Sequence, residues 1–161
     1  MGGGKEESIS SVHFLKTDPK ARYQGYTFFF REGFCWIDVN STYLKARIKD
    51  KGVFDVLSMS LFTMTEIPDW YYVSLINSEF ISLYVDNFIN NTSHFQINDA
   101  RQLPVIIPTQ EELSDFQNIS QKSIDSKKSK SLSPINSAME EKKKEVLQSI
   151  LNQKVSTLYQ I

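Results

Sequence analysis

Between Asp69 and Ile89, the residues Trp70, Val73, Ile76, Phe80, Leu83, Tyr84 and Phe88 recur at three- and four-residue spacing. That period predicts one amphipathic helix, entered at Pro68, whose fixed φ and missing N–H suit a first turn, and ended by Asn90, Asn91, Thr92 and Ser93. A stripe this aromatic belongs in a core rather than in a cofactor box. The chain can supply such a core: of its 161 residues, 40% are hydrophobic and 12% aromatic, which suits one domain with an appendage.

The stretch before the helix reads as sheet. Short strand-like patterns cover Val12–Leu15, Tyr26–Phe30 and Phe34–Val39, with Arg31–Glu32–Gly33 as a tight turn. Basic residues alternate with others from Lys45 to Lys51, and Val53–Leu57 follows Gly52 as a further strand. Residues 1–11, rich in Gly, Ser and charge, form a loose N-terminal segment.

After the helix the chain runs through "FQINDARQLPVIIPTQEEL", Phe95 to Leu113. Asn98 or Asp99 is placed to cap a brief turn, and Pro104 stops it from extending as a helix. The β-branched run Val105–Ile107 predicts a buried strand, closed by Pro108. Thr109 and Glu112 then have the spacing of a capping box. A helix from Gln110 to about Lys128 follows, with Leu113, Phe116 and Ile119 on one side. A Ser/Lys hinge over Ser126–Ser133 separates it from a second helix carrying Ile135, Met139, Val146, Ile150, Leu151, Val155 and Leu158. This hairpin has more apolar surface than it can bury alone, so it needs the globular unit or another chain. The fold class expected is α+β, that is, mixed α/β. A sheet-rich unit occupies residues 12–108 and a helical spacer or hairpin residues 109–161.

Net charge is −1, but its distribution is uneven. Residues 20–52 hold seven cations against three carboxylates, a local +4, whereas residues 66–116 hold one cation against eight carboxylates, a local −7. Within the basic segment Lys20, Arg22, Arg31, Lys45, Arg47, Lys49 and Lys51 interleave with Tyr23, Tyr26, Trp36 and Tyr43. Lys and Arg neutralise phosphates, and Arg or Gln, here Gln24, can read base edges. The same residues also fit a sheet with basic solvent-facing positions and aromatic core positions. No catalytic set accompanies them. The two histidines, His13 and His94, have no partner spacing, and Cys35 is the only cysteine, so neither a Cys/His metal site nor a disulfide is expected. No Gly-rich phosphate or nucleoside loop is present, and no cofactor is expected. One cysteine, no apolar run of ~20 residues and no secretory leader together read as a cytoplasmic chain that does not enter a membrane.

Four pieces resemble the target recognition domains of bacterial restriction–modification proteins. In "FFFREGFCWIDVNSTYLKARIKDKGVFDV" these are Arg31, Gly33, Trp36, Arg47, Gly52, Phe54 and Asp55. In "YYVSLINSEFISLYVDNFINNT" they are Leu75, Asn77 and Ser78. "FQINDARQLPVIIPTQEE" is similar to the family's Leu-Pro-aliphatic-x-Pro joint, and "FQNISQKSIDSKK" to the helix that follows. The likeness covers about Val12 to Lys130. It is nearest to the C-terminal specificity regions of adenine methyltransferase–restriction enzymes and reaches the type I specificity subunits more distantly. Two departures stand out. Ile37 follows the tryptophan block where the family has a hydroxyl residue, and no Asn/Asp-Pro-Pro-aromatic methylation motif is present.

The resemblance implies a sequence-specific reader of double-stranded DNA. Methylation or cleavage would be carried out by methyltransferase or endonuclease domains or subunits outside this region, so the chain itself is not expected to be an enzyme. The DNA-facing candidates are Arg22, Tyr23, Gln24, Arg31, Lys45, Arg47, Lys49 and Lys51, with Trp36, Phe54 and Leu75 assigned to the core. The alternative is a protein-interaction module that uses the helical hairpin, with the basic segment as solvated surface.

Overall fold

The computed structural model describes residues 13–20, 25–39, 43–54, 58–132 and 137–161, the side chains of 129–132 and 137 excepted. The fold is α+β: a three-stranded antiparallel sheet backed by short helices, and then two long helices.

β1 (Gly33–Ile37) is the central strand, between β2 (Ala46–Lys49) and β3 (Ser58–Leu61). The register sets Phe34 beside Ile48 and Leu61, and Trp36 beside Ala46 and Met59. Side chains alternate along a strand, so these six share the inner face, while Cys35, Arg47 and Ser60 line the outer one. Gly33 is needed for proximity: a Cβ there would lie 2.4 Å from the carbonyl oxygen of Leu61.

Several expected strands fall elsewhere. Residues 13–17 are helical rather than extended, with Thr17 Oγ1 donating back to His13 O at 2.9 Å. Tyr26–Phe28 is a 3-10 turn, started by Gly25 at φ 75°. Its neighbours are satisfied by ring packing rather than by strand pairing: Phe28 stacks on Phe62 and Phe29 meets Phe54 edge-on. Arg31–Glu32 therefore leads from this turn into β1 and does not join two strands. Val53 and Phe54 are not in a strand, and the third strand begins at Ser58, with Asp55, Val56 and Leu57 outside the described residues.

The long aromatic helix is broken. α1 (Asp69–Ile76) stops at Asn77, α2 (Glu79–Tyr84) restarts after Ser78, and Val85–Ile89 forms a π-helical turn. Ser78 makes the break by serving both ends: its Oγ accepts from Ile81 N at 3.3 Å and donates to Leu75 O at 2.6 Å. The break resets the helical phase. Leu83 and Phe88, placed on the buried stripe by the periodicity, are exposed, and Tyr71, Leu75, Ile81, Ser82 and Val85 are buried.

α1 is packed on two sides, which is why a single stripe misdescribes it. Tyr72, Val73 and Ile76 meet Phe34 and Trp36 of the sheet, Tyr72 lying parallel to the Phe34 ring at 5.7 Å. Tyr71 and Leu75 meet Phe116, Ile119, Leu151 and Val155 of the hairpin. The hairpin is thus built onto the sheet–helix unit through a shared helix.

The joint between them differs from expectation in one respect. Val105–Ile107 forms no strand, and Ile107 is 79% exposed, leaving only Ile106 half-sheltered. The segment is held by its carbonyls instead: the Tyr71 hydroxyl donates to Ile106 O at 2.8 Å, and the Tyr159 hydroxyl to Pro104 O. α3 (Ile97–Ala100) precedes it, with Asp99 accepting from Gln96 N at 2.8 Å. The capping box forms as predicted: Thr109 N donates to Glu112 Oε2 at 2.7 Å, and Glu112 N to Thr109 Oγ1 at 3.3 Å.

α4 (Gln110–Leu132) continues through the Ser/Lys run read as a hinge, and α5 is Ser137–Tyr159; the Ser133–Pro134 start lies outside the described residues. The charged stretch of α5 is not all solvated. Glu140 is buried against α4, accepting from Ser126 Oγ and from Lys143 Nζ, each at 2.8 Å. Met139, Val146 and Ile150, counted on the inner side of the hairpin from sequence, are exposed. Among the described residues no helix is long and apolar enough to cross a membrane.

Candidate nucleic-acid interface

The outer face of the sheet carries the basic residues because β2 alternates. Ala46 and Ile48 turn to the inner face, so Lys45, Arg47 and Lys49 fall on the opposite one. Arg47 lies across β1: its Nε donates to Cys35 Sγ at 3.4 Å, and its side chain stays exposed. Lys45 is exposed just before the strand. β2 is an edge strand, and its free side is closed by the helical layer. The Asn77 amide both accepts from Ala46 N at 2.7 Å and donates to Ala46 O at 3.0 Å, and Ser82 Oγ accepts from Leu44 N at 3.1 Å.

Lys49 does not join the exposed cations. Its ammonium donates to Arg31 O at 3.0 Å and to Gly52 O at 3.1 Å, beside the rings of Phe54 and Phe62. The charge of this DNA-facing candidate closes the loop that follows β2 onto the segment that enters β1. Phe30 N donates to Gly52 O at 2.8 Å in the same place. The two ties bring Arg31 and Lys51, both exposed, to neighbouring positions, with the Arg31 guanidinium 5.1 Å from the Phe28 ring centroid. Lys16 adds a cation that the sequence reading did not select, 4.7 Å from the Tyr26 ring. Arg22, Tyr23 and Gln24 lie outside the described residues. The acidic stretch 66–116 builds the opposite, helical layer and the start of α4.

The residues behind the family resemblance hold the frame of this face. Trp36 is buried and its Nε1 donates to Phe95 O at 2.8 Å, tying β1 to the chain beyond the helices. Asn77 locks the edge strand and Ser78 sets the helix break. Phe54 is half-buried in the aromatic group under Lys49, and Leu75 is buried toward the hairpin.

Phe30 stands apart from its neighbours. Its φ is 61°, a left-handed conformation unusual for a bulky residue, and 66% of it is exposed. Nothing in the sequence marks it, because it ends an aromatic run that reads as strand. A second unmarked feature is the contact of His94 Nδ1 with the buried Asp38 at 3.0 Å, next to the Val39–His94 bridge. Among the described residues no three His, Cys, Asp or Glu side chains converge as a metal site. An apolar hollow of about 280 Å³ lies between Phe34, Leu61, Tyr72, Leu103 and Val105. Burial raises the pKa of Tyr71 well above the phenol range, with smaller contributions from Tyr159, Glu112 and Tyr72, and burial also raises that of Tyr159. Both joint-holding phenols therefore stay neutral donors. No protein-family profile matches the chain, and a search of curated proteins returns no match.

Proposed function

We propose that the chain is a double-stranded DNA recognition module of the restriction–modification type, whose methylation or cleavage steps belong to other domains or subunits. One observation carries the reading: Lys45 and Arg47 are exposed on the sheet face turned away from the core, with Arg31 and Lys51 at its end. Lysines on edge strands often serve only to discourage edge-to-edge pairing. Here Asn77 and Ser82 already close that edge at Leu44 and Ala46, so the cations are not required as guards there. The family resemblance supplies the kind of duplex reader, and the separation of basic sheet from acidic helices favours one-sided approach to a polyanion.

The test is binding to mixed-sequence duplexes between low and near-physiological salt. With four exposed cations contacting phosphates, log affinity should fall with log salt at a slope of about −3 to −4. Methyl donor and magnesium added to the same mixture should leave the duplex unmodified. Absence of binding at low salt, or an affinity indifferent to salt, would remove the reading. A second reading has its own observation: Met139, Val146 and Ile150 form an exposed apolar row on α5, which fits the hairpin as a protein-docking surface. Self-association or partner capture abolished by Val146→Glu, with no DNA binding, would favour it.

A further inference from the structure

We infer that Phe30 is an aromatic wedge that inserts against a base step of the bound duplex, an inference that rests on the DNA-recognition reading above. Three features meet at this residue. Its backbone sits at φ 61°, a conformation that glycine or asparagine adopts more easily than phenylalanine. The position is fixed, by Phe30 N donating to Gly52 O at 2.8 Å and by Lys49 clasping the carbonyls of Arg31 and Gly52. The rings of Phe28 and Phe29 pack on Phe62 and Phe54, Phe28 keeping 42% exposure, while Phe30 is 66% exposed. A phenyl at this site costs free energy twice, through backbone strain and through exposed apolar surface. A partner that takes up the ring recovers the second cost, and the strained backbone holds the ring outward for it.

The surroundings identify that partner's chemistry. Arg31 follows Phe30 directly, and Lys51 precedes the glycine that anchors it, both exposed. An exposed ring with one cation next to it in the chain and another across the Phe30–Gly52 tie suits a base step and its phosphates: the ring would partially unstack the step, and the cations would hold the adjacent backbone. Arg47 and Lys45 continue the basic surface along β2, so the wedge sits at one end of the proposed DNA face rather than in isolation.

The full chain, with Phe30→Gly and Phe30→Trp variants, tests this at low salt. Affinity is measured for an intact mixed-sequence duplex, for the same duplex with one mismatched pair, and for phosphatidylserine vesicles. A mismatched step is easier to unstack. The wild-type chain should prefer it, and Phe30→Gly should lose both that preference and about tenfold in affinity, the scale of one base–aromatic stack. Phe30→Trp should retain both. Thermal unfolding of Phe30→Gly should be unchanged or later, because glycine relieves the positive φ, so lost binding cannot be charged to unfolding. If the wild type binds duplex and Phe30→Gly binds as tightly with the same mismatch preference, the wedge is wrong and the DNA reading stands. If the wild type binds no duplex at low salt, both fall. Vesicle binding that depends on Phe30, with duplex binding that does not, would assign the ring to a lipid surface and overturn the wedge.

Discussion

The two faces of the sheet are built from the same three strands, yet their side chains find partners in different places. On the inner face Phe34, Trp36 and Ala46 are buried against α1, α2 and Phe95, and even the indole N–H is bonded within the chain. On the outer face the arrangement is mixed. Cys35 is covered and Lys49 is spent on backbone carbonyls, but Arg47 remains exposed and, among the described residues, bonds the Cys35 sulfur. Alternation along β2 thus separates groups whose bonds are internal from groups left available to a partner. It also shows that charge alone does not identify the second kind, since Lys49 and Arg47 are two residues apart on the same face.

Mutations graded by effect on stability test that division. Trp36→Ala should be the most damaging. It empties a fully enclosed site and leaves Phe95 O without its donor, so a loss of about 3–5 kcal/mol is expected in chemical denaturation. A milder outcome would mean that the inner face is not the stabilising one. Asn77→Ala removes both bonds to the β2 edge and should cost about 2 kcal/mol, with faster hydrogen exchange at Ala46 as the local signature.

Tyr71→Phe should cost about 1 kcal/mol near neutral pH, by removing one bond to the joint. Its pH dependence is more informative. The folded-state pKa is raised, so the unfolded chain ionises this phenol first. The Tyr71 contribution is therefore complete below about pH 10 and fades as pH climbs beyond it, and the variant should show a shallower alkaline loss than the wild type. Equal alkaline slopes would show that the phenol is less enclosed than its geometry implies.

Arg47→Ala should have the smallest effect on stability, within about 0.5 kcal/mol, because its side chain is exposed. On the proposed reading it weakens low-salt DNA binding and lowers the salt slope by about 1. Unfolding of the domain by this change would place Arg47 among the internal groups and erase the contrast between the faces.

Much of the frame was legible in the residues. The capping box at Thr109 and Glu112 needs only four consecutive positions, and local hydrogen bonds then decide it. The FCWI run of β1 and the Phe116–Ile119 face of α4 also follow from their own apolar pattern. The candidate site was legible only in part. Alternation correctly put Arg47 and Lys45 away from the core, but the fate of the Lys49 ammonium depends on carbonyls 18 and 3 residues away. Phe30 reads as strand because it ends an aromatic run, whereas its positive φ and its bond to Gly52, a neighbour in space rather than in sequence, leave no local mark.

The amino-acid sequence by itself determined the α+β class, the basic and acidic halves, the capped start of α4 and the identity of the buried tryptophan, because each rests on local pattern or composition. Tertiary structure decided the rest. Periodicity specifies a helix face but not how many partners it will have, so only the packed chain shows α1 buried on two sides and the aromatic helix broken where Ser78 caps its successor. Likewise a β-branched run specifies an extended backbone but not what covers it. The Val105–Ile107 segment forms no strand; the Tyr71 hydroxyl from α1 bonds Ile106 O, and the Tyr159 hydroxyl from α5 bonds the preceding Pro104 O.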